Sequence, residues 1–218
     1  MEIHITKIIK KENTISYIYQ QIGMDSIFNN LTPFYEYDQN IEGIPDSIAV
    51  IPFICNILPI IFVYDATLYV DEIDSAFLKS ISKYRRGYKR LIPDLDFKGK
   101  VAAKRIVTNS YKTTKNCLLF SGGLDAFNTL CMNEQKINDC IAVWGPEIDI
   151  EDEKEWNKLY KSINDDLSKF QKKSHYVRTN FQHYFNYYTL EEKVKNIGDY
   201  WWHGLQHGIA FLGLTAPL

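Results

Sequence analysis

The chain has little of what would assign it to a specialised class by composition. Its formal net charge is only -2, so no overall field draws it to nucleic acid or to an anionic membrane. The amino terminus, Met1-Glu2-Ile3-His4-Ile5-Thr6-Lys7, lacks the cationic start and apolar centre of a signal peptide. A cytoplasmic location is the expectation. Its 4 cysteines, at 55, 117, 131 and 140, have no C-x-x-C spacing. That spacing argues against a disulfide framework or a cysteine zinc site, and the four are expected as small buried hydrophobes in a reducing compartment. The longest uncharged, mostly apolar stretch, Ser47 to Tyr64, is interrupted by Pro52, Asn56 and Pro59. It falls short of the about 20 residues that a membrane span needs. A kinked buried helix, followed by a core strand from Ile60 to Tyr64, accounts for the prolines better.

The first half of what remains predicts a small α+β unit over residues 1–110. Ile3 and Ile5, then Ile15, Tyr17 and Tyr19, alternate about a polar Lys10-Lys11-Glu12-Asn13 turn, the pattern of a hairpin. Residues 23–45 have no clear period and read as loop with one helical turn. Asp46 or Ser47 is expected to cap the buried helix. Thr67–Val70 and Val101–Val107 predict strands, and Asp74 is placed to cap a helix from Ser75 to about Arg86, with Phe77, Leu78 and Ile81 facing inward. The basic run Arg85-Arg86-Gly87-Tyr88-Lys89-Arg90 has two readings. One is a solvated helix end whose cations complement the dipole; the other is a contact for nucleic acid.

Polar residues Asn109 to Asn116 mark an expected boundary. Beyond it, over 111–218, the pattern becomes α/β: strand 117–120 and helix 124–134, strand 140–144 and helix 152–171, strand 175–179 and helix 199–213. Short apolar strands alternating with longer helical patterns imply βαβ crossovers and a parallel sheet. Ligands of such sheets sit beyond the carboxyl ends of the strands. Those ends here are Ser121-Gly122-Gly123, Trp144-Gly145-Pro146 and Arg178-Thr179-Asn180.

The first of these ends carries the clearest signal. In Phe120-Ser121-Gly122-Gly123-Leu124-Asp125-Ala126 an apolar strand stops at a hydroxyl, two glycines and an acid, and a helical pattern follows at once. Adjacent glycines let successive N–H groups turn into one concavity, a nest for phosphate oxygens. The N-terminus of the next helix adds unpaired donors and a partial positive charge. The Walker lysine loop is a different pattern, and no such lysine is present. A strand-to-helix turn that merely needs glycines is the alternative reading.

At these residues the sequence resembles the pyrophosphate-loop (PP-loop) ATPases, whose signature is S-G-G-x-D-[ST] after a buried strand. Ser121, Gly122, Gly123 and Asp125 match, while Ala126 takes the place of the usual Ser or Thr. The resemblance implies a Rossmann-like parallel sheet, ATP with Mg²⁺ as cofactors, transfer of AMP to a substrate oxygen, and release of pyrophosphate. Within that group the chain is most similar to 7-cyano-7-deazaguanine synthase-like proteins, through 119–126 and the late segment Gly204-Leu205-Gln206-His207-Gly208-Ile209-Ala210-Phe211-Leu212. That likeness covers about residues 116–218 and implies ATP-dependent conversion of a carboxylate to an amide and a nitrile. The leading unit resembles variants of the family from bacterial antiphage clusters. The family's zinc-binding cysteine set is absent from this sequence, so zinc is not expected.

The remaining rim residues keep two readings each. Asp125 reaches Mg²⁺, or simply caps its helix. Trp144 packs on adenine with Gly145 allowing close approach, or is a half-buried core tryptophan. Arg178 and Asn180 offer donors to a phosphate or an acyl-adenylate, or Arg178 forms a surface salt bridge. His203 and His207, at i and i+4, make half a metal site with no third ligand in view. The acids from Glu147 to Glu155 suit a helix start.

Three functions follow as expectations: an AMP-forming ligase or nitrile synthase with a small-molecule substrate, a catalytically weak nucleotide-binding subunit, or an interaction module. PP-loop sheets normally run 3-2-1-4-5, and only strands 1 to 3 are visible here. Strand 1 should therefore be an open edge, and Ile209, Phe211 and Leu212 should be partly uncovered. The expectation is a truncated or split form whose missing half is lost or supplied by a partner polypeptide.

Overall fold

A computed structural model of the chain describes residues 1–111, 115–197 and 200–218. It contains strands β1 (Glu2–Lys11), β2 (Thr14–Ile22) and β3 (Phe34–Tyr37), helices α1 (Asp46–Ala49) and α2 (Ile51–Val63), strand β4 (Thr67–Asp74), helix α3 (Ser75–Leu91) and strand β5 (Lys100–Val107). Strand β6 (Cys117–Leu119), helix α4 (Leu124–Met132), strand β7 (Asp139–Trp144), helix α5 (Glu153–Lys169), strand β8 (Lys173–Thr179) and helix α6 (Tyr187–Val194) follow. The chain then forms a π-helix over Trp201–Gln206 that runs into α7 (His207–Leu214).

All eight strands form one sheet, in the order β5-β4-β1-β2-β3-β8-β7-β6. The fold class is α/β, and most pairings are parallel: β4 with β1 and β5, and β7 with β6 and β8. β1, β2, β3 and β8 pair antiparallel in sequence. The hairpin turns at Lys11–Thr14, as the alternation of isoleucine and tyrosine predicts.

Strand β3 lies in a stretch that reads as loop, and it joins the two halves: Tyr35 faces Ser16's neighbour Ile15 on one side and Thr179 on the other. Its four residues alternate half-buried and buried. Four residues inside a Gly/Asn/Pro/Asp-rich stretch are too few to stand out by period. The sheet and its main core run across the expected boundary at 109–116, of which 112–114 lie outside the described residues.

Helix α2 does not end at Pro59 but continues to Val63, so the expected strand 60–64 is instead helix. A mid-helix proline costs roughly 3 kcal/mol. Ile60, Ile61, Phe62 and Val63 are all buried, and each is worth about 1.5–3 kcal/mol relative to exposure. The burial wins. Every residue of α2 is buried, the signature of a helix enclosed on all sides. No helix among the described residues is long and apolar enough to cross a membrane.

Neither Asp46 nor Ser47 caps this region with its side chain: the N-cap of α1 is Pro45, and no described side chain caps the helix. Asp46 instead pairs with Lys10 at 2.7 Å, and Ser47 Oγ accepts from Asn109 at 2.9 Å. Asp74 does cap α3, accepting from Ala76 N and Phe77 N at 2.8 and 2.9 Å.

Two apolar cores lie on the two faces of the sheet. The larger contains α2, the inward residues of β1–β4, and Ile141, Val177, Trp201 and Ile209. The smaller holds Phe120, Leu130, Cys140, Ala142, Trp144, Trp156 and Ile163, with α4 and α5 on that side. Cys55 and Cys140 are buried, and burial pushes their thiols up to about 12 and about 11. Cys117 and Cys131 correct the expectation of burial; both are exposed, Cys117 on a strand that has one neighbour among the described residues.

Candidate functional site at the carboxyl ends of the parallel strands

The register of β6, β7 and β8 brings the three predicted strand ends to one rim. Leu119 faces Ile141, and Trp144 faces Arg178, in parallel pairs. What each end does there differs.

The end of β6 is anchored from below. Phe120 is buried, its N–H donates to Ile141 O at 2.9 Å, and its ring meets Phe127 edge-on at 5.0 Å. The next residues leave the core. Ser121, Gly122, Gly123, Leu124 and Asp125 are all exposed. Gly122 has φ +78°, a left-handed conformation that a β-branched residue resists. Ser121 Oγ accepts weakly from Gly123 N at 3.4 Å, which closes the turn.

Gly123 is the N-cap of α4, at φ -78° and ψ 164°, and no described side chain caps the helix. Its carbonyl accepts from Phe127 N at 3.1 Å. The N–H groups of Leu124, Asp125 and Ala126 therefore belong to the first turn, where an α-helix offers them no internal partner. Asp125 lies inside that turn and is not the cap; its carboxylate makes no hydrogen bond or ion pair with a described residue. Ala126 is half-buried against the smaller core.

The ends of β7 and β8 are already engaged. Trp144 is buried, stacks on Trp156 at 5.2 Å with an interplanar angle of 5°, and donates through Nε1 to Asp149 O at 3.0 Å. The guanidinium of Arg178 lies 4.8 Å from its ring centroid. This is the core-tryptophan arrangement. Gly145 has φ +136°, and a Cβ there would lie 2.0 Å from Thr179 O. The close approach that this glycine permits is that of the neighbouring strand's own backbone.

Arg178 donates to Glu36 Oε2 and to Ile150 O, each at 3.3 Å, and Phe34 lies 5.7 Å below it. It is the salt-bridge arrangement, with Nε buried and without a hydrogen-bond partner among the described residues. Asn180 is buried too. It accepts from Phe34 N at 3.0 Å and donates to Thr32 O at 2.9 Å, so it clips the end of β8 to the segment before β3.

Behind this rim lies the late segment. Trp201 is fully buried and donates to Gln206 Oε1 at 3.0 Å; Gln206 Nε2 donates to Asn56 Oδ1 at 2.7 Å. Trp202, His207 and Phe211 are half-buried together, with His207 4.7 Å from Phe211 and 5.2 Å from Trp202. Burial lowers the His207 pKa, Glu147 opposes that, and His203, 6.1 Å away, adds to it. Among the described residues no group of three or more His, Cys, Asp or Glu is placed to hold a metal. Of the three residues expected to be partly uncovered, Phe211 is half-buried and Leu212 exposed, while Ile209 is buried.

A polar cluster at the opposite, amino ends of the strands escaped sequence reasoning. His175 Nδ1 lies 2.9 Å from Asp38 Oδ2, and its Nε2 lies 4.0 Å from Asp139 Oδ2. Lys115 pairs with Asp139 at 2.9 Å. The signal was the alternation in β8, which places His175 on the same face as buried Val177. The cluster ties β3 to β7 and β8.

Comparison with protein-family models, with curated proteins and with solved structures finds no match to this chain.

Proposed function

We propose that the 121–125 turn binds the phosphates of ATP with Mg²⁺, and that the protein uses them in an AMP-forming activation of a carboxylate or amide. The resemblance at 119–126 further suggests a PP-loop enzyme of the 7-cyano-7-deazaguanine synthase-like kind, in a bacterial antiphage or deazaguanine-modification system. One observation carries the reading: Gly122 turns at positive φ beyond the carboxyl end of a parallel strand, directly before an uncapped helix N-terminus. Such a turn aims backbone N–H groups at an anion.

The residues present fit phosphate and a divalent cation. Ser121 offers a hydroxyl, Leu124, Asp125 and Ala126 offer first-turn N–H groups, and Asp125 offers an exposed carboxylate for the metal. When bound, ATP would supply the adenylyl group, with pyrophosphate leaving. Ser121 would hold a phosphate oxygen by a hydrogen bond from its hydroxyl, and Asp125 would fix the metal directly or through water. Trp144, Gly145, Arg178 and Asn180 would then shape the rim, and the substrate would meet that rim and not the Trp144 ring face. The test is ATP–pyrophosphate exchange with candidate acids as acceptors. Exchange that disappears in Asp125→Asn supports the ligase reading; none with any acceptor, in protein that binds ATP, removes it.

A second reading has its own observation. Arg178, a rim cation, is committed to Glu36 and Ile150, and among the described residues β6 has a hydrogen-bonded neighbour on one side only. These support a catalytically weak nucleotide-binding or interaction subunit, or an inactive piece of a longer enzyme. In that case a strand from another polypeptide would add to β6 and bring the missing positive charge. Binding of ATP without exchange is its expected result.

A further inference from the structure

The cationic helix α3 remains unexplained by that site. Over Ser75–Leu91 it has six lysines and arginines and no acid. Its inward face is fixed: Ile81 and Tyr88 are buried, Tyr88 donates to Leu205 O at 2.6 Å, and Arg85 lies over the Phe62 ring at 4.7 Å while donating to Gly99 O. Arg85 is thus structural. Lys79, Lys83, Arg86 and Arg90 are exposed on the opposite side. At 100° per residue they fall within about 60° of one another, in a stripe about 16 Å long. None of the four forms an ion pair with a described residue, whereas Lys98, Lys104 and Arg105 nearby in sequence do.

Helix-dipole compensation accounts for cations in the last turn, Lys89 and Arg90, but not for Lys79, Lys83 and Arg86. Gly87 lies at the flank of the stripe, and a Cβ there would meet nothing within 4 Å. The protein's own packing therefore gives no reason for a residue that weakens a helix.

We propose that this face of α3 docks on the phosphate backbone of duplex nucleic acid, without reading its sequence. A rigid row of unpaired cations on a helix of about 10–12 Å diameter matches a fixed row of phosphates along a groove. A membrane surface fits less well, because the apolar side that would enter lipid is spent in the core. A single strand fits less well, because no aromatic ring stands on the stripe to stack with bases: Tyr84 and Tyr88 belong to the inward side. The stripe has no Asn or Gln to read adenine, and a mixed row of lysine and arginine suits phosphates, so contact to the backbone is expected. The inference does not depend on nucleotide at the 121–125 turn.

Fluorescence anisotropy with a labelled mixed-sequence 24-base-pair DNA duplex tests it, using the full chain. Binding is expected at 50 mM salt, with a log–log salt slope of about -3 to -4 for four phosphate contacts. The combined variant Lys79→Gln, Lys83→Gln, Arg86→Gln and Arg90→Gln should bind at least 30-fold more weakly while keeping its melting temperature, since all four side chains are exposed. If that variant does not fold, the single Lys83→Glu variant takes its place, with a loss of several-fold expected. Lys154→Gln with Lys158→Gln, exposed on α5, should leave binding unchanged. Absence of duplex binding, undiminished binding by the stripe variants, equal loss in the α5 control, or preference for single strands or anionic vesicles would each overturn the proposal.

Discussion

The carboxyl end of β6 and the carboxyl ends of β7 and β8 lie on one rim, yet they differ in how their polar groups are used. At β7 and β8, the Trp144 indole, both ends of the Asn180 amide and two arms of Arg178 are bound within the protein. At β6, the Ser121 hydroxyl has one weak contact, and the first-turn N–H groups and the Asp125 carboxylate are left to solvent. Free N–H donors at a helix start are not a defect where an anion arrives; they are a cost wherever none does. The rim thus combines a wall whose polar groups bond one another with a turn whose donors have few partners among the described residues.

The largest expected effect breaks the wall. Gly145→Val should destabilise the fold by more than about 3 kcal/mol, because its Cβ would sit against the Thr179 carbonyl on a backbone that valine resists. Denaturant unfolding measures it; a loss under 1 kcal/mol would show that the seam between β7 and β8 is loose. Asn180→Ala comes next. It leaves Phe34 N and Thr32 O without partners, at about 1–3 kcal/mol each, and should lower stability by about 2–4 kcal/mol without changing ATP affinity in the folded protein.

How much of this contrast was legible differs between the two sides. The glycine turn announced itself, because its signal is local: strand, hydroxyl, two glycines, acid, helix. Even so, which glycine bears the strain was not readable, and it is Gly122, with Gly123 in an ordinary extended conformation. Apart from the bond of Trp144 to Asp149, five residues on, the commitments of the wall are long-range. Arg178 finds Glu36 and Asn180 finds Thr32 and Phe34 only because β3 pairs with β8, and β3 is a four-residue strand hidden in a loop-like stretch. The same long-range pairing concealed the cluster of Asp38, His175 and Asp139. Helix α2 misled in the other direction, since burial on every side outweighed a proline that local rules treat as a stop.

Smaller effects sharpen the contrast on the side of the turn. Ala126→Ser should raise ATP affinity by up to about tenfold, the lower end of a hydrogen bond to a charged group at about 1.5 kcal/mol, because the residue is half-buried against the smaller core. Titration calorimetry checks it; no change would mean that another donor already fills the position. The least effect concerns His207. Burial lowers its pKa from the ordinary 6.5, so the unfolded chain takes up a proton first as pH falls. Stability should be complete above 6.5 and decline as pH drops through that value toward the folded pKa. Proton NMR should place the His207 midpoint below 6.5, and His207→Phe should flatten the stability profile there. A midpoint above 6.5 would mean that Glu147 dominates over burial.

The central claim, that the turn at 121–125 holds the phosphates, is tested most directly by calorimetric titration of Mg-ATP into wild-type protein and Gly123→Val. Because Gly123 lies at negative φ and a Cβ there meets only Ser121 Oγ, at 3.4 Å, the variant should fold with nearly unchanged melting temperature while its side chain fills the anion's place. The account predicts binding by the wild type and a loss of at least tenfold in the folded variant. Equal affinity in the two proteins, or no binding by either, would contradict it.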